Sequence, residues 1–87
     1  MLNKLEAMLN QNLGNIVISR FSELGEESMH LANLDNMFAL VVPNEDENTL
    51  EISIEEYDPW SEEYFLVSSK EYKQVKSAYN YIKKMLP

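Results

Sequence analysis

The stretch Thr49–Tyr57, TLEISIEEY, decides the fold of this chain because its side chains alternate between polar and apolar from Thr49 to Glu55. In an extended strand, successive side chains point to opposite faces. One face would carry Leu50, Ile52 and Ile54, and the other would carry Glu51, Ser53, Glu55 and Tyr57. One buried face and one wet face are typical of an antiparallel sheet that is covered on one side.

Further strands are predicted on both sides of this stretch, from apolar and β-branched runs bounded by turn residues. They are residues 15–21 (NIVISRF), the first half of 29–36 (MHLANLDN, with a bend at its end), 37–42 (MFALVV) and 64–69 (YFLVSS). The predicted turns are residues 22–28 (SELGEES, around Gly25), 44–48 (NEDEN) and 58–63 (DPWSEE). We expect MFALVV to be a central strand that ends at Pro43, because proline cannot donate to a ladder.

Apolar residues at three- and four-residue spacing predict a helix at each end of the chain. The first would cover Leu2–Leu13, with Gly14 placed for a C-cap of positive φ. The second would run from about Ser69 to Leu86, and Ser68 and Glu71 have the spacing of a capping box at its start. Its apolar stripe comprises Tyr72, Val75, Tyr79, Ile82 and Leu86. Tyr81 lies off this stripe and is expected to be exposed to solvent.

This order of elements predicts a single α+β domain over residues 1–87. It would consist of an N-terminal helix, an antiparallel β-meander of three to five strands and a C-terminal helix. Both helices and the central amphipathic strand have one apolar side each. We therefore expect the helices to pack on one face of the sheet and the other face to be open to water.

Charge is unevenly distributed along the chain, whose formal net charge is −8. The first 20 residues carry +1, residues 21–69 carry −13 without a single Lys or Arg, and residues 70–87 carry +4. A protein of this charge repels nucleic acid and anionic membranes and attracts basic surfaces. The expected partner is a basic protein surface, such as that of a nucleic-acid-binding enzyme, and direct binding of nucleic acid or membrane is not expected.

The cysteine content and the apolar runs of the sequence also limit the cellular compartment in which the protein is expected. The absence of cysteine excludes a disulfide scaffold and thiolate metal sites. The longest apolar run, Phe38–Val42, is far too short to span a membrane, and the first residues lack the features of a secretory signal. We expect a soluble cytoplasmic protein.

No motif indicates an enzyme, a cofactor or a metal ion. The one histidine, His30, lies in a weakly defined strand, so no nucleophile with an adjacent base is indicated. The carboxylate-rich EDENTLEISIEE lacks the glycine of an EF-hand loop, and its glutamates alternate along a strand instead of converging. Gly14 and Gly25 are isolated and form no phosphate-binding loop. We therefore expect a non-enzymatic protein.

The segment Asn44–Tyr64 holds nine acidic residues and no basic one. Solvated glutamates can simply keep a small domain soluble and block edge-to-edge pairing. Surfaces that serve solubility usually mix both signs, however, and unneutralised like charge destabilises a fold. The absence of Lys and Arg therefore favours a partner that supplies positive charge. The predicted partner-binding residues are Glu51, Glu55, Glu56, Tyr57, Asp58, Trp60, Glu62 and Glu63.

Two of these candidates are aromatic, and Trp and Tyr are enriched among the residues that dominate protein interfaces. Tyr57 falls on the polar side of its strand, and Trp60 lies in a predicted turn. Trp60 would either fold back as a lid over the edge of the core, which is the preferred alternative, or project as an anchor for a partner.

Two functions are consistent with these features. The first is an inhibitor that presents a nucleic-acid-mimicking negative surface to a basic DNA- or RNA-handling protein, by analogy with small phage- and mobile-element-encoded inhibitors. The alternative is an immunity-, antitoxin- or chaperone-type module that neutralises a basic partner without mimicry. The near-heptad spacing of the C-terminal helix leaves a homodimer open as well.

Overall fold

The computed structural model describes residues 1–23 and 26–86, which form two helices and one five-stranded sheet. The elements are α1 (Leu2–Asn12), β1 (Val17–Glu23), β2 (Glu26–Ala32), β3 (Met37–Asn44), β4 (Thr49–Asp58), β5 (Glu63–Tyr72) and α2 (Val75–Met85). All neighbouring strands are antiparallel and lie in chain order, β1-β2-β3-β4-β5. The predicted α+β meander between two helices is confirmed, and MFALVV forms the central strand.

The register of the strands defines the two faces of the sheet, because residues directly opposite each other in an antiparallel pair point to the same side. On one face, buried apolar side chains line up across the strands and meet those of the helices. This core consists of Met29, Leu31, Ala39, Val41, Leu50, Ile52 and Ile54 from the sheet, with Leu2, Leu5 and Leu9 from α1 and Ala78, Ile82 and Leu86 from α2 or its end. The alternation in Thr49–Tyr57 therefore identified the core face correctly.

Polar contacts fix the two helices over opposite halves of this face. On the β1 side, the guanidinium of Arg20 donates to Asn3 Oδ1 (2.9 Å) and Glu6 Oε1 (3.0 Å) of α1. On the β5 side, the hydroxyl of Tyr81 in α2 donates to Ser68 Oγ, and Lys70 Nζ lies 5.2 Å from the centroid of the Tyr81 ring. The prediction that Tyr81 is exposed is wrong, since only 8% of it is accessible.

The boundary between β5 and α2 differs from the prediction. Residues 69–72, which were assigned to the helix, continue β5, and α2 begins at Val75 after Gln74, whose side chain makes no capping bond. The capping box of Ser68 and Glu71 is therefore wrong. Pairing with β4 is the reason, because Ser53 lies opposite Ser69 and Leu50 lies opposite Tyr72.

Three smaller boundaries also differ. Pro43 does not end β3, which continues to Asn44. In the described register β2 pairs with β3 only as far as Val41, so Pro43 has a neighbouring strand on one side only. A proline is tolerated there because no backbone N–H is required on the unpaired side. Gly14 does not adopt a positive φ, since α1 ends with Leu13 extended and its N–H bonded to Leu9 O. The strands extend into the predicted turn 22–28, and its central Gly25 lies outside the described residues.

The bend predicted between β2 and β3 is present at residues 33–36. The side chain of Asn33 accepts hydrogen bonds from the N–H groups of Asp35 (2.9 Å) and Met37 (3.0 Å), and Asn36 has a φ of 61°. Asparagine tolerates this left-handed conformation better than most residues. Within the described residues, neither helix combines the length and the apolar character needed to cross a membrane.

Candidate functional site

The face of the sheet that points away from the helices, called the open face here, presents aromatic, apolar and acidic side chains together. Two cross-strand rows define it. One row is Val17, Ala32, Phe38, Glu55 and Leu66, and the next is Ser19, His30, Leu40, Ser53 and Ser69. No strand position in either row is a Lys or an Arg, so any positive charge near this face has to come from elsewhere.

A chain of four rings joined by three contacts crosses the open face from β2 to β5. His30 stacks on Phe38 with the ring centroids 5.6 Å apart. Phe38 meets Tyr64 edge to face at 5.4 Å, and Tyr64 packs against Tyr57 at 5.0 Å. These separations lie in the range of favourable aromatic pairs. The rings therefore hold one another in place and form an ordered platform on a surface that no helix covers.

Exposed apolar side chains extend this platform. Val17 is 66% exposed, Leu66 64% and Tyr64 59%, while Phe38 and Leu40 are half-buried. Single exposed apolar residues are normal on a protein surface, but contiguous ones mark an interaction site. Tyr64 contacts Phe38 directly, and Leu66 lies in the same row of the open face with Glu55 between it and Phe38. These three side chains therefore belong to one group.

Glu55 lies inside this apolar group. It is directly opposite Phe38 on β3 and Leu66 on β5, and its residue is only half-exposed. Glu51, on the same side of β4, is exposed and lies opposite Val42 and Glu71. The two glutamates predicted from the strand alternation thus share the open face, and Glu55 is the one surrounded by apolar groups.

The carboxylates of the open face have no cationic partner in the described part of the chain. Both ion pairs found there involve Arg20, which contacts Glu6 at 3.0 Å and Glu27. The helices carry the exposed lysines Lys4, Lys76, Lys83 and Lys84, on the far side of the molecule. Positive and negative charge are therefore separated between the helical layer and the open face with its turns.

The turn between β4 and β5 presents the remaining acidic candidates. The Asp58 carboxylate accepts hydrogen bonds from the Trp60 N–H (2.9 Å) and the Ser61 hydroxyl (3.2 Å). Such bonds from an aspartate to residues further along the chain order a turn. Asp58 therefore has a structural role in the turn, while Glu62 and Glu63 are exposed beyond it.

Trp60 projects from this turn and is 95% exposed. The preferred prediction, a lid over the edge of the core, is wrong, because almost the whole of Trp60 is in contact with solvent. The alternative, a side chain that projects into solvent, is what the structure contains. A large apolar side chain in this position is available to a partner.

A second acidic group lies where β4 begins and β5 ends. The Thr49 hydroxyl donates to Glu71 Oε1, and Glu47, Thr49, Glu71 and Lys73 line one small cavity. A hydrogen bond to Glu71 and the like charge of Glu71 raise the pKa of Glu47 above its ordinary value, and slight desolvation adds to this. The Glu47 carboxyl therefore takes up a proton at a higher pH than an isolated glutamate does.

A groove at the start of α1 has polar walls in which the Arg20 guanidinium is paired with two carboxylates, although its Nε is buried without a hydrogen-bond partner. It is lined by Met1, Leu2, Asn3, Arg20, Glu27, Pro43, Asn44, Glu45, Asn48 and Thr49. Arg20, its cation, is neutralised by Glu6 and Glu27. Among the described residues no three His, Cys, Asp or Glu side chains are arranged to hold a metal ion. The open face is thus the stronger candidate site.

The structure separates the eight predicted partner-binding residues into three places. Glu51, Glu55 and Tyr57 lie on the open face. Glu56 points to the opposite side, where it pairs with Met37 and Phe65. The turn between β4 and β5 holds the others, Asp58, Trp60 and Glu62, together with Glu63 at the start of β5. Glu56 is therefore not part of one surface with Glu55.

Sequence reasoning identified Tyr57 but missed the other rings of the site and the apolar side chains around them. His30, Phe38, Leu40, Tyr64 and Leu66 were read only as parts of strands. The available signal was weak, because β3 has apolar residues on both of its faces and so resembles a fully buried strand. The one sequence feature that distinguishes the two faces of β3 is the small Ala39 on the core side beside the larger Phe38 on the outer side.

The chain matches no protein-family model, and no curated protein or solved structure shows significant similarity to it. The assignment of a function therefore depends on the geometry of the open face.

Proposed function

We propose that this protein is a small acidic, non-enzymatic binding protein whose open face binds a basic surface of another protein. The single observation that carries this proposal is the environment of Glu55. Glu55 is half-exposed, lies directly opposite both Phe38 and Leu66, and has no cationic partner in the described chain. A group that brings both positive charge and apolar surface would satisfy this environment.

Arginine and lysine side chains of a partner have this combination. Both carry an apolar stem and a charged head, and Arg in particular stacks on aromatic rings while pairing with a carboxylate. Phe38 and Tyr64 supply the rings and Glu55 supplies the carboxylate. The partner we propose therefore inserts an Arg or Lys side chain between these groups, with Trp60 as an apolar contact at the margin.

An aromatic sheet face is also a means of stacking single-stranded nucleic acid, but such faces are flanked by positive charge that follows the phosphates. Here the flanking side chains are the carboxylates of Glu51 and Glu55. Phosphates would be repelled from this face. A protein is therefore the better-supported partner.

The proposal has two forms, which differ in what the partner normally binds. Exposed carboxylates in the turns, such as Glu62 and Glu63, support the first form, an inhibitor that mimics nucleic acid and occupies the basic channel of a DNA- or RNA-handling protein. The aromatic platform supports the second, an immunity-, antitoxin- or chaperone-type module without mimicry, because a mimic of phosphates needs carboxylates and not rings. The platform makes the second form the better supported.

The test is a pull-down from lysate of the source cells with the wild-type protein and two variants. Glu55→Lys and Glu56→Lys change the net charge equally at neighbouring positions, but only Glu55 lies on the open face. We expect a basic protein that is released by raised salt, retained by Glu56→Lys and lost with Glu55→Lys. Capture that is insensitive to salt, or lost equally with both variants, would refute the proposal.

Competition separates the two forms. The captured partner is challenged with double-stranded DNA and with RNA at constant ionic strength. Displacement by either nucleic acid supports mimicry, and no displacement supports the module without mimicry. Circular dichroism of both variants establishes that each keeps the fold.

A further inference from the structure

Strand β5 is an edge of the sheet and nothing in the described chain covers its outer side. It lies last in the strand order, and no backbone hydrogen bond among the described residues reaches it except from β4. An edge strand leaves a row of backbone N–H and C=O groups without strand partners and is a template for another strand. With ten residues, β5 is long for an unprotected edge.

The two edges of the sheet differ in how they are protected. β1 carries Arg20 near its centre, held by Glu6 and Glu27, and charge within an edge strand discourages pairing. β5 has neither charge nor proline from Tyr64 to Ser69. Its one irregularity is a bulge that leaves Val67 without a partner on β4. The β5 edge is therefore available for pairing with another strand, whereas the charge of Arg20 disfavours pairing at the β1 edge.

Exposed apolar side chains line both faces of this edge. They are Tyr64, Phe65, Leu66 and Val67, each between 47% and 64% exposed. α2 contacts the later part of β5, through Ser68 and Lys70, and does not cover these four residues. Burying them requires a second chain.

The charges of β5 identify this second chain. Glu63 begins the uncharged run and Lys70 ends it, and Glu71 follows Lys70 within β5, so the apolar centre lies between a negative residue and a pair of opposite charges. When two such strands run antiparallel, each Glu63 meets the other copy's Lys70, and Leu66 meets Val67 at the centre. Opposite charges in directly facing positions stabilise a strand pair.

We propose that β5 pairs with β5 of a second copy of this chain to form a symmetric dimer with one continuous sheet. The contact is isologous, as in most homodimers, because the same strand is used by both copies. The open faces of the two copies would then adjoin along the contact. This inference does not depend on the proposed function, because it rests on the free backbone edge and the charges of β5, although Tyr64 and Leu66 belong to both surfaces.

A charge swap tests the register. Sedimentation velocity over a concentration series should show a dimer for the wild type. Glu63→Lys and Lys70→Glu, each of which sets like charges opposite each other, should raise the dimer dissociation constant at least tenfold. The double variant should restore it. Glu45→Lys changes the net charge as Glu63→Lys does, but lies in the turn between β3 and β4, away from this edge, and should leave the dimer unchanged.

A second pair of variants covers the case in which Lys70→Glu disturbs the fold through the lost contact with Tyr81. Leu66→Lys places two lysines together at the centre of the contact and should give a monomer. Val17→Lys, at an equally exposed position on the other edge strand, should not. A wild type that stays monomeric throughout, or equal effects of Leu66→Lys and Val17→Lys, would overturn the proposal.

Discussion

Phe38 and Tyr64 lie on strands that are not neighbours, yet their rings meet edge to face with centroids 5.4 Å apart. Strand β4 runs between them, and its Glu55 lies directly opposite Phe38. The ring contact therefore bridges β3 and β5 across β4 on the open face. It fixes the apolar surroundings of the one carboxylate on which the proposed function rests.

This bridge should be measurable as a coupling energy. A double-mutant cycle with Phe38→Leu and Tyr64→Leu should give an interaction of about 0.5–1.5 kcal/mol in urea unfolding, the range of aromatic pairs beyond their buried area. Phe65→Leu lies on the opposite side of β5, so the cycle of Phe38 with Phe65 should be additive. Equal coupling in both cycles would contradict the bridge.

The hydrogen bond between Tyr81 and Ser68 should fix α2 on β5. Tyr81→Phe keeps the ring and removes the bond, so we expect a loss of about 0.5–1.5 kcal/mol in the free energy of unfolding. Adding Ser68→Ala to that variant should cost less than Ser68→Ala alone, because the bond is already absent. Tyr79→Phe is the matched control and should change stability by less than about 0.5 kcal/mol. Equal losses for both tyrosines would refute the role of the bond.

The Glu47 carboxyl should make stability depend on pH in a stated direction. Its pKa is raised in the folded chain by the hydrogen bond to Glu71 and by that residue's charge. A raised folded pKa contributes stability that is fully present below the unfolded pKa and is lost as the pH rises through the folded pKa. Glu47→Gln should therefore gain in melting temperature relative to the wild type as the pH rises from about 4 to about 6.

The control for this titration is Glu45→Gln, which removes the same charge from the same turn between β3 and β4. Its difference in melting temperature from the wild type should change less over the same pH range. A difference between Glu47→Gln and the wild type that is independent of pH would show that the pair of Glu47 and Glu71 does not form in solution.

The fold was predictable from sequence in those segments whose apolar residues follow a single spacing, either that of a strand or that of a helix. The alternation of Leu50, Ile52 and Ile54 identified the core face of β4, and the helical spacing identified both helices. The start of α2 was not predictable, because the core side of β5 is formed by Ser68, Lys70 and Tyr72, a set without apolar alternation. All three contact Tyr81, a residue of another element.

The candidate site was predictable only in its acidic part. Glu51 and Glu55 follow from the alternation, but the contact of Phe38 with Tyr64 joins residues from strands that are not adjacent. A local pattern contains no information on such a contact until the sheet order and the register are known. The same limit explains why Glu56 was grouped with Glu55, although one residue of separation places it on the other face.

The most direct test of the central claim, that the open face binds a basic partner, compares two uncharged substitutions on neighbouring residues of β5. Tyr64→Ser and Phe65→Ser leave the net charge unchanged, and the two side chains point to opposite sides of the sheet. Calorimetric titration of the captured basic partner should show at least about tenfold weaker binding for Tyr64→Ser, equivalent to about 1.4 kcal/mol, and near wild-type binding for Phe65→Ser. Equal affinities for the two variants would contradict the claim.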